Sequence, residues 1–124
     1  MNSFQGSRRC RSALGLAAFA LQLLASTAAT AASFDCQQAQ QPDERAICAS
    51  RQLSEMDVEM AVRFEMLMGL VPMGTRGHMG DEQQDWLVAR NKCGSNQPCL
   101  VAAYRDRIAV LKDEYARLQS RGPF

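Results

Sequence analysis

Five cysteines, one histidine, one tryptophan and 13 carboxylates are the residues of this 124-residue chain that could do chemistry. Four of the cysteines fall into two local groups, Cys36 with Cys48 and Cys93 with Cys99, each spanning a turn-rich stretch. Four thiols allow three pairings, and closing the shorter loops favours the local one. A zinc site built from these thiols and His78 fits less well, because structural zinc pairs are usually two to four residues apart. No Cys-x-x-Cys arrangement is present to lower a thiol pKa. Hydrolysis needs an activated nucleophile, a metal or a paired acid and base. His78 stands alone in a glycine-rich stretch, and Asp81, Glu82 and Asp85 read as acids at a helix start rather than as a glycosidase pair. The expectation is therefore a protein that is not an enzyme and uses no cofactor and no metal.

Binding chemistry has more to work with. Trp86 and Arg90 are four residues apart, so on a helix the guanidinium can lie over the indole or reach a carboxylate such as Asp57 or Asp106 on a neighbour. Such a pair could grip an anionic or sugar-like ligand, and it could equally anchor a small core through a buried ion pair. Gln84 and Arg107 admit the same two readings. Asp57 reads as a residue on the polar side of its helix, making a capping or salt-bridge contact. Arg76, in the stretch with three glycines, is the candidate protruding cation, with Asp81 and Asp85 beside it.

The chain around these residues begins with a pattern of export. Arg8, Arg9 and Arg11 precede the apolar run Ala13 to Ala25, and the small residues Ser26 to Ala32 offer Ala29-Thr30-Ala31 as a cleavage site. Thirteen apolar residues interrupted by Gln22 are too few to cross about 30 Å of hydrocarbon, which needs about 20. Residues 1–32 are thus expected to be a signal peptide, leaving no membrane anchor and a mature start at Ala32 or Ser33. Beyond them lie 11 basic and 13 acidic residues, a net charge of −2 that argues against nucleic-acid binding. An even number of cysteines in an exported domain of this size reads as a disulfide framework.

The elements that must position the site read as helices. Pro42 to about Ala49 suits a short helix opened by proline, with Ala46 and Ile47 inward. Leu53, Met56, Met60, Phe64, Leu67 and Val71 recur at steps of three and four, predicting a helix from about Arg51 to Leu70 capped by Ser50 or Ser54. Its methionines read as core fillers more readily than as an adaptable binding groove. Between Pro72 and Gly80 three glycines and no periodicity predict a mobile loop. Asp81 would then cap a third helix running to about Cys93. After Gly94 to Asn96, Pro98 restarts a last helix whose Leu100, Tyr104, Ile108, Leu111, Tyr115 and Leu118 share one face. No segment reads as a strand, so the predicted fold is all-α: a disulfide-stapled helical hairpin bundle of three to four helices.

Phe34-Asp35-Cys36, Glu44 with Ile47-Cys48, Leu53 with Asp57, and then Gln84, Trp86-Leu87, Arg90, Cys93, Cys99, Tyr104 and Arg107 form a recognisable set. In this combination the chain resembles the lysozyme inhibitor LprI-like N-terminal domain family over residues 33–124. Phe64 stands where that family commonly has Tyr. Gly80 stands where it usually has an apolar residue, which puts the start of the third helix later. The resemblance implies a periplasmic or secreted interaction protein whose partner is a lysozyme or another peptidoglycan hydrolase. On that reading Arg76 enters an acidic catalytic cleft, while Asp81, Glu82 and Asp85 complement a basic enzyme surface. The alternative is a periplasmic structural or small-ligand-binding module using the methionine-lined groove or Trp86.

Overall fold

The computed structural model describes residues 32–122; residues 1–31 of the expected signal peptide, with Cys10, lie outside them. A 3-10 turn at Cys36–Gln38 leads into four helices: α1 Pro42–Ala49, α2 Arg51–Leu70, α3 Met73–Asn91 and α4 Gln97–Ser120. The domain is an all-α bundle stabilised by two disulfides, Cys36–Cys48 and Cys93–Cys99. The first ties the N-terminal turn to the end of α1. The second closes the turn between α3 and α4, where Gly94 takes a left-handed φ of 54°, a conformation glycine adopts without steric cost.

Side chains set the helix ends. Pro42 opens α1, and the Glu44 carboxylate accepts from the backbone N–H of Gln40 at 2.9 Å and Gln41 at 3.0 Å. These bonds, Gln41 foremost, hold the Glu44 pKa below the usual carboxylate value. Ser50 caps α2 by accepting from Leu53 N, and the Ser54 hydroxyl donates 2.8 Å to the carbonyl of Ile47, locking α1 against α2. Asn96 caps α4 by accepting from Cys99 N at 3.0 Å.

The closest packing is α2 on α4, followed by α1 on α2. Ile47, Leu53, Met60, Leu67, Leu100, Tyr104, Ile108, Leu111 and Leu118 are buried in this core. Full burial of each large apolar side chain stabilises by about 1.5–3 kcal/mol. Tyr115, expected on the same face, is 38 % exposed. Of the methionines, Met60 and Met79 are core, Met56 and Met68 pack at its edge, and Met66 and Met73 face solvent.

One predicted boundary is overturned. Residues 73–80 are helical, not a loop, and α3 starts at Met73 with Pro72 as its N-cap and Arg76 N bonded to the Pro72 carbonyl at 2.9 Å. Asp81, Glu82 and Asp85 consequently lie in mid-helix rather than at its start. Gly74, Gly77 and Gly80 each weaken a helix by about 1 kcal/mol relative to Ala. Met79, 3 % exposed, and Val71, 6 % exposed, bury against the core on either side and offset that cost. His78 and Glu82, 3.3 Å apart at i,i+4, add to the same stretch. No described helix is long and apolar enough to cross a membrane.

Candidate functional site

α3 adds polar contacts to the apolar ones of Met79 and Trp86, whereas α2 and α4 meet through apolar ones. Asp43 of α1 is fully buried, Asp57 of α2 is 1 % exposed, and Arg90 of α3 lies between them at 7 %. Arg90 Nε donates to Asp43 Oδ2 at 3.0 Å, and its Nη1 donates to the Tyr104 hydroxyl at 3.2 Å. That hydroxyl donates in turn to Asp57 Oδ1 at 2.7 Å, which stands 3.8 Å from Arg90 Nη1. Burial, reinforced by the Asp57 carboxylate, pushes the Tyr104 pKa far up, so the phenol stays protonated as the donor this chain of bonds needs. Asp57 Oδ2 accepts from Ser33 N at 2.6 Å. Each buried ion therefore meets a charged or hydrogen-bonding partner, the condition under which buried charge is tolerated.

Trp86 turns the other way, toward α4. Its Nε1 donates 3.1 Å to the carbonyl of Ala103, its ring meets Tyr104 edge to face at 5.2 Å, and the Arg90 guanidinium lies 5.6 Å from the indole centroid. The Trp86–Arg90 contact expected from their spacing is present, with Trp86 half-buried as a support for the ion network. Arg107 is buried too: its Nε donates to Gln83 Oε1 at 2.9 Å, while Nη2 has no hydrogen-bond partner among the described residues. Burial lowers the Arg107 pKa, an effect opposed by Glu82 and Glu114.

A groove opens above the network. About 390 Å³ in volume, it is lined by Ser33 and Phe34, by Asp57, Met60, Phe64 and Glu65 of α2, and by Gln83, Gln84, Leu87 and Arg90 of α3, with Glu44 at its rim. It exists because α3 leaves the end of α2 at Pro72 and packs on α1 and α4 more than on its neighbour in sequence. The floor is apolar and ionic, and across it Gln83 Nε2 donates to Met60 Sδ at 3.2 Å.

The site residues expected from sequence separate into two groups. Trp86, Arg90 and Arg107 converge on the interior. Arg76, Asp81 and Asp85 are exposed along α3 and form no common site with them; the Arg76 guanidinium donates back to the Val71 carbonyl at 3.3 Å. A cation protruding from a flexible loop is therefore not what the fold provides. Of the two carboxylates offered for Arg90, Asp57 is present at 3.8 Å and Asp106 faces solvent, while the closer partner is Asp43. Two further expectations are corrected: Asp57 is in the core instead of on the polar side of α2, and Gln83 is the buried glutamine where Gln84 is exposed.

Asp43, Gln83 and Ser33 were not singled out by type, yet position could have found two of them. Asp43 is one turn before buried Ile47, and Gln83 is the second member of the row Met79, Gln83, Trp86, Arg90, spaced four, three, four. Among the described residues no group of three or more His, Cys, Asp or Glu side chains is placed to hold a metal ion, and the four thiols of the zinc alternative are in disulfides.

No known protein supplies a function by likeness. No family model matches the chain, and no curated protein or solved structure matches it significantly. What the site does must be argued from its geometry.

Proposed function

We propose that the chain is an exported interaction module of LprI-like type, acting in the periplasm or outside the cell, and that the groove between α2 and α3 is its contact surface. The observation that carries this reading is the groove itself: a solvent-open cleft whose floor is a closed network and whose rim offers carboxylates. Side chains already held by Asp43, Asp57 and Tyr104 lose little conformational freedom on association, so the surface is preorganised for binding. Glu44 and Glu65 at the groove, with Asp81 and Asp85 farther along α3, give this side an acidic character suited to a basic partner.

A lysozyme or another peptidoglycan hydrolase with a basic surface is the partner we assign, following the resemblance carried by Gln84, Trp86, Arg90 and the cysteine pairs. Turbidity clearance by several lysozyme types, measured with the purified protein at micromolar concentration, tests it. Inhibition should appear for at least one type, and Glu65→Arg should weaken it about tenfold or more by placing a like charge against the partner. Full lysozyme activity throughout would sink the inhibitor reading.

A second reading has its own support, since 390 Å³ lies within the range of small-molecule clefts and Met60, Phe64 and Leu87 give it apolar walls. A thermal-shift screen of cell-wall fragments separates the two readings. Stabilisation by a muropeptide without lysozyme inhibition would favour the small-ligand module.

A further inference from the structure

Two buried carboxylates, Asp43 and Asp57, face one buried guanidinium, that of Arg90. Asp43 takes the close contact, with Arg90 Nε at 3.0 Å and Asn91 Nδ2 at 3.4 Å. Asp57 is left with a distant guanidinium at 3.8 Å, a neutral phenol and the nitrogen of Ser33 at 2.6 Å. The cluster is thus one positive charge short, and the nitrogen that completes it belongs to a residue at the edge of the expected signal peptide. A buried carboxylate without a full counter-charge is costly, and a cation delivered at hydrogen-bond distance removes that cost.

We propose that export processing cuts between Ala32 and Ser33, and that the new α-ammonium of Ser33 seats on Asp57 as the missing cation of the buried cluster. The cut hydrolyses one peptide bond: water is consumed, the carboxylate leaves with Ala32, and the amine stays on Ser33, where it takes up a proton. Folding of the network and removal of the leader are thereby coupled, because an uncut chain offers Asp57 only a neutral amide N–H. This inference rests on the export reading and adds to it a defined start and a defined receptor for that start.

Asp57 contacts the Ser33 nitrogen directly, and the other charged groups lining the same cleft are Glu65 of α2, Glu44 of α1 and Arg90 of α3, with Tyr104 of α4 behind Asp57. The carboxylates outnumber the cation, so the seat favours the protonated amine. A group whose folded pKa is raised gives stability that is complete below its unfolded value, about 8 for an α-amine, and is lost as pH rises through the folded value. The latch therefore operates at neutral pH and opens in alkali.

The test uses the full-length chain exported from a bacterial host, beside a variant with one glycine inserted between Ala32 and Ser33. N-terminal sequencing should find Ser33 first in the native chain. Displacing the ammonium by one residue should lower the melting midpoint by about 5 °C or more. It should also speed acylation of the α-amine at pH 7.5 by about tenfold, because the seated amine is protonated and held. In Asp57→Asn the difference between the two starts should largely vanish; should that variant fail to fold, the acylation rates of the native and glycine-extended chains decide alone. A native start other than Ser33, or equal rates and midpoints, overturns the proposal. A chain that is never exported defeats the export reading instead. The same two starts, released from a fusion by a site-specific protease, then test the seat directly, and equal rates there overturn it.

Discussion

The two sides of α2 and α4 are held by opposite chemistry. Along their shared seam Leu53, Met60 and Leu67 meet Leu100, Ile108 and Leu111, all buried and apolar. Where α1 and α3 close over the same helices, apolar Ile47 and Met79 are joined by a buried polar set, Asp43, Asp57, Gln83, Arg90 and Arg107. An apolar seam tolerates sliding and exchange of one shape for a similar one. An ionic cluster does not, because each charge needs its own partner at one distance. The difference teaches where rigidity and function should be sought: α3 is fixed in one pose by a few directed bonds, and the groove it borders inherits that fixed shape.

The largest expected effect breaks the polar side. Arg90→Leu leaves Asp43 buried without its cation and Asp57 without the guanidinium, and should cost about 3–5 kcal/mol in urea denaturation at neutral pH. Leu111→Ala on the apolar side creates a cavity and should cost about 2–5 kcal/mol. The two variants differ in pH dependence more than in size. Acid that protonates the orphaned carboxylates should recover part of the Arg90→Leu loss and none of the Leu111→Ala loss. Equal pH profiles would mean that the network contributes no more than packing.

Next come the staples, one on each end of the comparison. The 12-residue separation of Cys36 and Cys48 and the 6-residue separation of Cys93 and Cys99 correspond to about 3 and about 2 kcal/mol of loop-closure entropy in the unfolded chain. Replacing each pair by serine and measuring unfolding should return losses in that order.

A smaller effect belongs to Glu44, which caps α1 and so steadies Asp43 beside it. Glu44→Ala should cost about 1 kcal/mol at pH 7. Its folded pKa is depressed, so the stability it contributes is present above the unfolded carboxylate pKa and is lost as pH falls through the folded one. The gap between native and Glu44→Ala chains should accordingly close in acid and stay constant from pH 6 to 8.

These two chemistries also explain what was legible in the sequence. The apolar seam was readable because its periodicity is carried by residue type: Leu53, Met56, Met60, Phe64 and Leu67, like Leu100, Tyr104, Ile108 and Leu111, recur at steps of three and four, and α2 spans the residues that pattern marks. The cysteine pairing was readable because loop closure is local. The polar side obeys the same periodicity with the wrong letters. Asp57 follows Leu53 by four and precedes Met60 by three, and Arg107 sits between Tyr104 and Leu111 in the same way. A search by type assigns such residues to solvent, whereas a search by position places them inside. Of their partners, Asp57 was within the carboxylates Arg90 could be expected to reach, whereas Asp43 was not, because it lies 47 residues from Arg90 and only the packing of α1 against α3 joins them.

The start of α3 sharpens the comparison with the least energy at stake. Its three glycines predict a loop, and the helix forms there because Val71 and Met79 are buried at either side. At Gly77 an added Cβ would meet nothing within 4 Å, so the site can take a methyl group without a clash. If tertiary burial imposes the helix on an unfavourable sequence, Gly77→Ala should stabilise by about 0.5–1 kcal/mol, chiefly by reducing the freedom of the unfolded chain. A mobile loop at this position would gain nothing from the substitution. Hydrogen exchange of the amides at 76–80 gives the local reading: slower in Gly77→Ala if the first turns of α3 are a marginal helix held by Met79. Unchanged exchange with unchanged stability would mean that burial already fixes this segment as firmly as the ion network fixes the other end of α3.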